Sequence, residues 1–199
     1  MARTVSMADI VELEQQEPDN RRLADTLLEW AEDEQTEYLQ DEKGGLAAFQ
    51  LLSLAGGYYR AAGDDDLSAD LLERARQQAT GIVDDVEAFQ IVGLARRGER
   101  EMVITVADEL RRRGVQGLIT YAVVANELLE VGAQKPAMRW LNMAIRALEQ
   151  QLELDPEDED LDELFGELLL TRYDLRRSSG LGKDGYDEEA ELIMTEDDA

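Results

Sequence analysis

The sequence predicts an all-α fold built from helical hairpins. The 199 residues include 3 prolines and no alternating run of Val, Ile or Thr of useful strand length, whereas apolar residues recur at helical spacing along most of the chain. Glycines and one Asp-Pro pair interrupt these apolar stripes at short intervals. We therefore expect helices of roughly 12 to 18 residues joined by short turns, packed as antiparallel neighbours.

Two helices are expected in residues 1–42. Apolar residues recur there at Ile10 and Leu13, and again at Leu23, Leu27, Leu28 and Trp30. Both stripes are short, and we interpret this segment as N-terminal capping helices.

Stronger apolar stripes follow, and glycines separate them. Clear examples are Met102, Val103, Val106, Ala107 and Leu110, and then Ala137, Leu141, Ala144, Ile145, Leu148 and Leu152. The breaks are predicted at Gly44-Gly45, Gly63-Asp64, Gly81, Gly98, Gly114 to Gly117, Gly132 and Asp155-Pro156. Trp30 and Trp140 lie in amphipathic stripes, so we expect both to be packing residues.

Three of these breaks form an internal repeat. Gly63, Gly98 and Gly132 are separated by 35 and 34 residues, and each follows one predicted helix and precedes another. A period near 34 residues with one helical hairpin per period is typical of arrays in which a single hairpin cannot bury its apolar face alone.

Small and large residues alternate around these glycines in a way that resembles the tetratricopeptide repeat superfamily. The residues concerned are Ala55, Gly56, Tyr59, Ser68, Leu72 and Ala75 in the first unit, Gln90, Ile91, Leu94, Val103, Ala107 and Leu110 in the second, and Tyr121, Val124, Ala125, Leu128, Ala137, Leu141 and Ala144 in the third. The chain also resembles short, acidic actinobacterial members of that superfamily. The resemblance implies a right-handed superhelix of antiparallel helix pairs, with three units in residues 43–156.

The third unit departs from the family in length. Pro156 lies 24 residues after Gly132, where the family has about 17, so the second helix of this unit is predicted to be about two turns longer. We interpret residues 157–199 as a C-terminal capping helix, a loop over residues 178–185 and an acidic tail. Asp187 is predicted to cap a short last helix, and Thr195 to Ala199 to be frayed.

The resemblance also implies a concave groove lined by the first helix of each unit. The groove positions are Gln50, Ser53 and Arg60 in the first unit, Ala88, Val92 and Arg96 in the second, and Ala122, Asn126 and Leu129 in the third. Arg60, Arg96 and Asn126 are the expected polar contacts. The lysines with which family members hold a peptide carboxylate are missing.

Charge narrows the choice of partners. The net charge is −26, with −10 in residues 1–42, −4 in 43–87, +2 in 88–151 and −14 in 152–199. Such a polyanion is repelled by nucleic-acid phosphates and by anionic membranes, so we expect neither direct nucleic-acid binding nor membrane binding. The most apolar stretch, residues 118–125, is far too short to span a bilayer, and residues 1–10 lack the apolar run of a secretory signal, so a cytoplasmic location is expected.

The chain has no Cys and no His, which excludes disulfides, thiolate nucleophiles, Cys/His zinc sites and an imidazole base. The acidic runs Asp64 to Asp66 and Glu157 to Glu163 lack the glycine of a calcium loop, so helix capping is the better interpretation. The segment Gly180 to Gly185 resembles a phosphate loop only superficially, because no strand is predicted before it.

These observations predict a non-enzymatic scaffold, without a cofactor, that binds a protein or peptide in the concave groove. A homodimer is left open. One alternative is an acidic electrostatic module that binds a basic protein or imitates nucleic-acid phosphate. Another is an enzyme that uses carboxylates and a divalent cation.

Overall fold

A computed structural model of the protein describes residues 3–33, 35–38, 40–41, 44–45, 47–79 and 85–197. In this part of the chain there are ten helices: α1 (Met7–Gln16), α2 (Asn20–Glu32), α3 (Ala48–Ala61), α4 (Asp65–Gln78), α5 (Glu87–Arg96), α6 (Arg100–Arg113), α7 (Leu118–Glu130), α8 (Gln134–Leu152), α9 (Glu159–Ser178) and α10 (Gly185–Asp197). The all-α class is therefore confirmed. No described helix has both the length and the apolar character needed to cross a bilayer.

Four very short strands, which the sequence pattern does not predict, accompany the helices. They are β1 (Arg3–Val5), β2 (Thr36–Tyr38), β3 (Gln40–Asp41) and β4 (Gly44–Gly45). β1 pairs in parallel with β2, and β3 pairs antiparallel with β4, so the predicted break at Gly44-Gly45 is a strand. The predicted break at Gly81 lies outside the described residues.

The chain divides into two compact units, Met1–Gly114 and Val115–Ala199. The first contains β1 to β4 and α1 to α6, and the second contains α7 to α10. The boundary lies within the predicted break at residues 114–117, inside the segment assigned to three consecutive repeats. The predicted division into 1–42, 43–156 and 157–199 stays a prediction.

The three repeat glycines form the same turn. Gly63, Gly98 and Gly132 have φ values of 83°, 71° and 72°, in the left-handed region that favours glycine. In each case the glycine N–H donates to the carbonyl three residues earlier, and the next N–H donates to the carbonyl five residues earlier, at N···O distances of 2.7 to 3.0 Å. The predicted turns between α3 and α4, α5 and α6, and α7 and α8 are thus present. Gly180 ends α9 with the same pair of hydrogen bonds, although it lies outside the predicted repeat.

In the first unit, α3 is the central helix and packs against α2, α4 and α5. It is buried at nearly every position from Phe49 to Tyr59. α3 and α5 meet in a constant register, because Ser53 hydrogen-bonds the Val86 carbonyl and Gly57 lies against Gln90. Both contacts join residues 33 apart, so the first helices of two consecutive pairs lie side by side in parallel.

In the second unit, α7 packs on α8, α8 on α9, and α9 on α10. α8 has 19 residues, as the late position of Pro156 predicted. Trp140 is 1% exposed and its ring lies 5.8 Å from that of Tyr121, centroid to centroid. Trp140 is therefore a packing residue, as expected, and so is Trp30 of the first unit, at 9% exposure.

The start and end of α10 differ from expectation. Asp184, not Asp187, precedes the helix: its carboxylate accepts from the Asp187 N–H at 3.2 Å, while the Asp184 N–H donates to Asp187 at 3.0 Å. This reciprocal pair satisfies backbone donors that a helix start leaves free. Thr195, predicted to be frayed, is helical, and Asp198 and Ala199 lie outside the described residues.

Candidate functional site

The groove residues predicted on α3 serve contacts within the first unit. Ser53 is fully buried, and its hydroxyl donates to the Val86 carbonyl just before α5, so the side chain is not exposed to a partner in this structure. Gln50 is half-buried, and its side-chain oxygen accepts from the Ala47 N–H at 2.6 Å, just before α3 begins. Arg60 donates both Nη atoms to the Glu109 carboxylate of α6 at 2.7 Å each.

The groove residues predicted on α5 also lie in contacts within the first unit. Ala88 is buried, again unlike an open groove position, and Val92 is half-buried. Arg96 donates to both carboxylate oxygens of Glu14 in α1, at 3.0 and 3.1 Å. The Glu14 carboxylate is buried and also accepts from the Tyr58 hydroxyl at 2.5 Å. Burial, followed by the neighbouring Glu14 carboxylate, raises the pKa of Tyr58.

Arg97 completes the attachment of α1. Its Nη1 donates to the carbonyls of Glu14 and Glu17 at 2.8 and 3.0 Å, and its Nη2 donates to the Pro18 carbonyl at 2.6 Å. A guanidinium thus satisfies carbonyls that the end of a helix leaves without intrahelical partners. The end of α1 is therefore bonded to the ends of α3 and α5, and Tyr58 is fully buried beneath these contacts, whereas Arg96 remains exposed.

The remaining predicted groove residues lie on α7 in the second unit. Ala122 is buried, which again differs from an open groove position, Leu129 is half-buried and Asn126 is exposed. The six residues on α3 and α5 thus belong to one unit and these three to the other.

A different concave surface lies in the second unit, between α8, α9 and α10. It is an open depression of about 740 Å³, here called the acidic groove, lined by Arg146, Glu149, Gln150, Leu152, Glu153, Asp162, Phe165 and Glu189. Four carboxylates face one arginine, beside the apolar side chains of Phe165 and Leu152. The sequence shows that residues 152–199 are acidic, but it does not predict this groove. Its one signal in the sequence is the helical spacing of Glu149 and Glu153.

The carboxylates of the acidic groove differ in how firmly they are held. Glu149 accepts from the Tyr186 hydroxyl at 2.8 Å, and burial together with this bond raises the pKa of Tyr186. Glu153, Asp162 and Glu189 are exposed, and no cation within the described ranges forms an ion pair with them. Three carboxylates are thus available to a cationic ligand.

A second concave surface lies in the first unit, between α4, α5 and α6. This cavity of about 140 Å³, here called the arginine cleft, is lined by Arg60, Leu72, Arg76, Glu87, Gln90, Val106, Glu109, Leu110 and Arg113. Buried Glu87 accepts from Arg76 and Arg113. Burial alone would raise the pKa of Glu87, but the hydrogen bonds from Arg113 and Arg76 outweigh it and lower that pKa.

The other sequence motifs have local structural roles. Asp64 and Asp158 accept from backbone N–H groups at the starts of α4 and α9, which confirms helix capping for both acidic runs. Lys183, in the loop that resembled a phosphate site, pairs with Glu191. Among the described residues, no three Asp or Glu side chains are arranged to hold a metal ion.

Comparison with known proteins found no matching family model, no matching curated protein and no matching solved structure.

Proposed function

We propose that this protein is a non-enzymatic binding module that takes up a basic segment of another protein or peptide in the acidic groove. The observation that carries the proposal is the set of three unpaired carboxylates, Glu153, Asp162 and Glu189, around the apolar side chains of the groove. Helical hairpins with a 34- to 35-residue period, as in the tetratricopeptide repeat superfamily, support a binding role. A right-handed superhelix is part of the same proposal.

The groove suits a Lys or Arg side chain better than a purely apolar one. Such a side chain can lay its methylene stem along Phe165 and Leu152 and keep its charged end among the carboxylates. The charge of −14 in residues 152–199 attracts a basic segment from a distance and increases its rate of association. The same charge repels nucleic acids and anionic membrane surfaces.

The acidic groove is a better candidate than the surface of α3 and α5. On that surface Arg96 already neutralises Glu14, and Arg60 already neutralises Glu109, so a partner would have to break one ion pair to gain another. In the acidic groove three carboxylates are unpaired, so a basic partner can bind them without breaking an ion pair.

The proposal is tested with a short, fluorescein-labelled peptide rich in Lys and Leu, titrated with the full chain and followed by fluorescence anisotropy. The double variant Glu153→Lys, Asp162→Lys is compared with Glu130→Lys, Asp174→Lys, which changes two exposed carboxylates of the same unit outside the groove. Both variants have the same net charge, so long-range attraction is matched between them. We expect the first to weaken binding about tenfold and the second less than about threefold.

Two results would count against the proposal. Equal weakening by both double variants would mean that overall charge, and not the groove, attracts the peptide. Absence of peptide binding by the wild-type chain at low salt would reject a basic partner altogether.

A further inference from the structure

We propose that the arginine cleft of the first unit binds one indole-type ring, that is, a flat aromatic ring that carries an N–H donor. The inference is independent of the acidic groove, which lies in the other unit. It rests on an unpartnered polar atom, on the composition of the walls and on the size of the cavity.

The unpartnered atom belongs to Gln90 of α5. Its side chain is fully buried, and within the described part of the chain its Oε1 accepts no hydrogen bond. Its Nε2 is already directed to the Ser68 hydroxyl of α4, 3.4 Å away. Buried carbonyl oxygens nearly always have a donor, so this atom is suited to a ligand that brings an N–H or O–H group.

The rest of the cleft favours a neutral aromatic ring over an anion. Leu72, Val106 and Leu110 supply apolar walls, which suit the flat faces of a ring. Arg76 and Arg113 are already held by Glu87, so a phosphate or carboxylate would meet a carboxylate beside each guanidinium. A guanidinium held in this way still presents its planar face, which stacks favourably on an aromatic ring.

The size of the cleft agrees with a single ring. Its volume of about 140 Å³ is close to the roughly 150 Å³ of an engineered cavity that holds benzene. A second cavity of about 300 Å³ adjoins it and shares Arg60, Leu72, Arg76 and Glu109. The second cavity gives room for the fused ring of indole and for the backbone of a peptide that carries tryptophan.

The test compares indole with benzothiophene, a ring system of similar shape without the N–H, by ligand-detected NMR titration of the full chain. We expect the wild type to bind indole at least about fivefold more tightly than benzothiophene, because only indole can donate to Gln90. In Gln90→Met this preference is expected to fall to about one. Gln77→Met, an exposed glutamine of α4, serves as the matched control and is expected to keep it.

The comparison of the two rings on the wild type keeps the test valid if Gln90→Met does not fold. Equal affinity for both rings, or no binding of either, would overturn the proposal, and tighter binding of benzoate than of indole would make the cleft an anion site. N-acetyltryptophanamide distinguishes a peptide side chain from a free indole compound, because tighter binding than indole supports a peptide source. The Glu153→Lys, Asp162→Lys variant is expected to bind indole as the wild type does, so that failure of one proposal is separable from failure of the other.

Discussion

Replacing Gly93 by alanine perturbs the tightly packed contact between α3 and α5. A Cβ atom on Gly93 would lie 2.7 Å from Leu54 Cδ2 and 2.8 Å from the Tyr58 hydroxyl oxygen. Leu54 and Tyr58 are 1% and 0% exposed, and the Tyr58 hydroxyl is bonded to Glu14. Neither neighbour can move away without displacing other buried groups, so the two helices have to separate.

The expected size of the effect follows from two opposing contributions. Alanine is preferred over glycine inside a helix by about 1 kcal/mol, which favours the variant. Overpacking of a filled core costs about 1 to 3 kcal/mol, and two contacts below 3 Å place Gly93→Ala toward the upper end of that range. We expect the free energy of unfolding of the first unit to fall by about 1 to 2 kcal/mol.

Gly166→Ala is the matched control, in the middle of α9. Its Cβ would meet only Ile193 Cδ1, at an ordinary contact distance of 3.8 Å. This variant is therefore expected to gain about 0.5 to 1 kcal/mol from helix propensity. The opposite signs separate a close helix contact from a general intolerance of glycine replacement.

The assay is urea unfolding followed by tryptophan fluorescence. Trp30 belongs to the first unit and Trp140 to the second, so a Trp140→Phe background reports on Gly93 and a Trp30→Phe background on Gly166. The urea midpoint of each glycine variant is compared with that of its own tryptophan background, provided that the unfolding free energy depends on urea concentration with the same slope in both. An unchanged or higher urea midpoint for Gly93→Ala would refute the close parallel packing of α3 on α5.

Three further predictions concern charge and titration. Burial, followed by the hydrogen bond to Asp25, raises the pKa of Tyr59 from 10.0 to about 12. The protonated Tyr59 hydroxyl therefore contributes fully to stability below pH 10, and this contribution is lost between pH 10 and 12. Over that interval the melting temperature of Tyr59→Phe should fall less steeply than that of the wild type. Arg172→Met should lower the free energy of unfolding of the second unit by about 3 kcal/mol, measured by Trp140 fluorescence, because it leaves buried Asp187 with one arginine fewer; a loss below about 1 kcal/mol would contradict this. Added sodium chloride should raise the melting temperature from low to moderate ionic strength, because it screens the repulsion within a chain of net charge −26, and a decrease would contradict that reasoning.

The features that could be predicted from the sequence are those with a local physical cause. A left-handed turn strongly favours glycine, so Gly63, Gly98 and Gly132 marked the ends of three helices in advance. The length of α8 was predictable because about seven extra residues before Pro156 add two turns and keep the apolar stripe in phase.

The features that could not be predicted depend on contacts between distant residues. Arg96 pairs with Glu14 across 82 positions, and nothing in a sequence with 46 acidic residues singles out that partner. Ser53 matches a groove position of the tetratricopeptide repeat superfamily, yet a hydrogen bond to a backbone carbonyl allows it to be buried. The strands β1 and β2 have three residues each, too few for an alternating pattern to be visible.

The arrangement of charge also explains why the outer surface of this chain is so acidic. In the described part of the chain the buried carboxylates are Glu14, Asp85, Glu87 and Asp187, and each one meets at least one arginine. A buried carboxylate without a partner would be costly, so arginines are placed where acids enter the interior. Several arginines are thereby paired with buried carboxylates, and most acidic residues in the described part of the chain lie on the surface. Surface carboxylates that stay unpaired, as around the acidic groove, can be neutralised only by salt or by another molecule. Of the possible partners, a basic one has the most favourable electrostatic interaction with them.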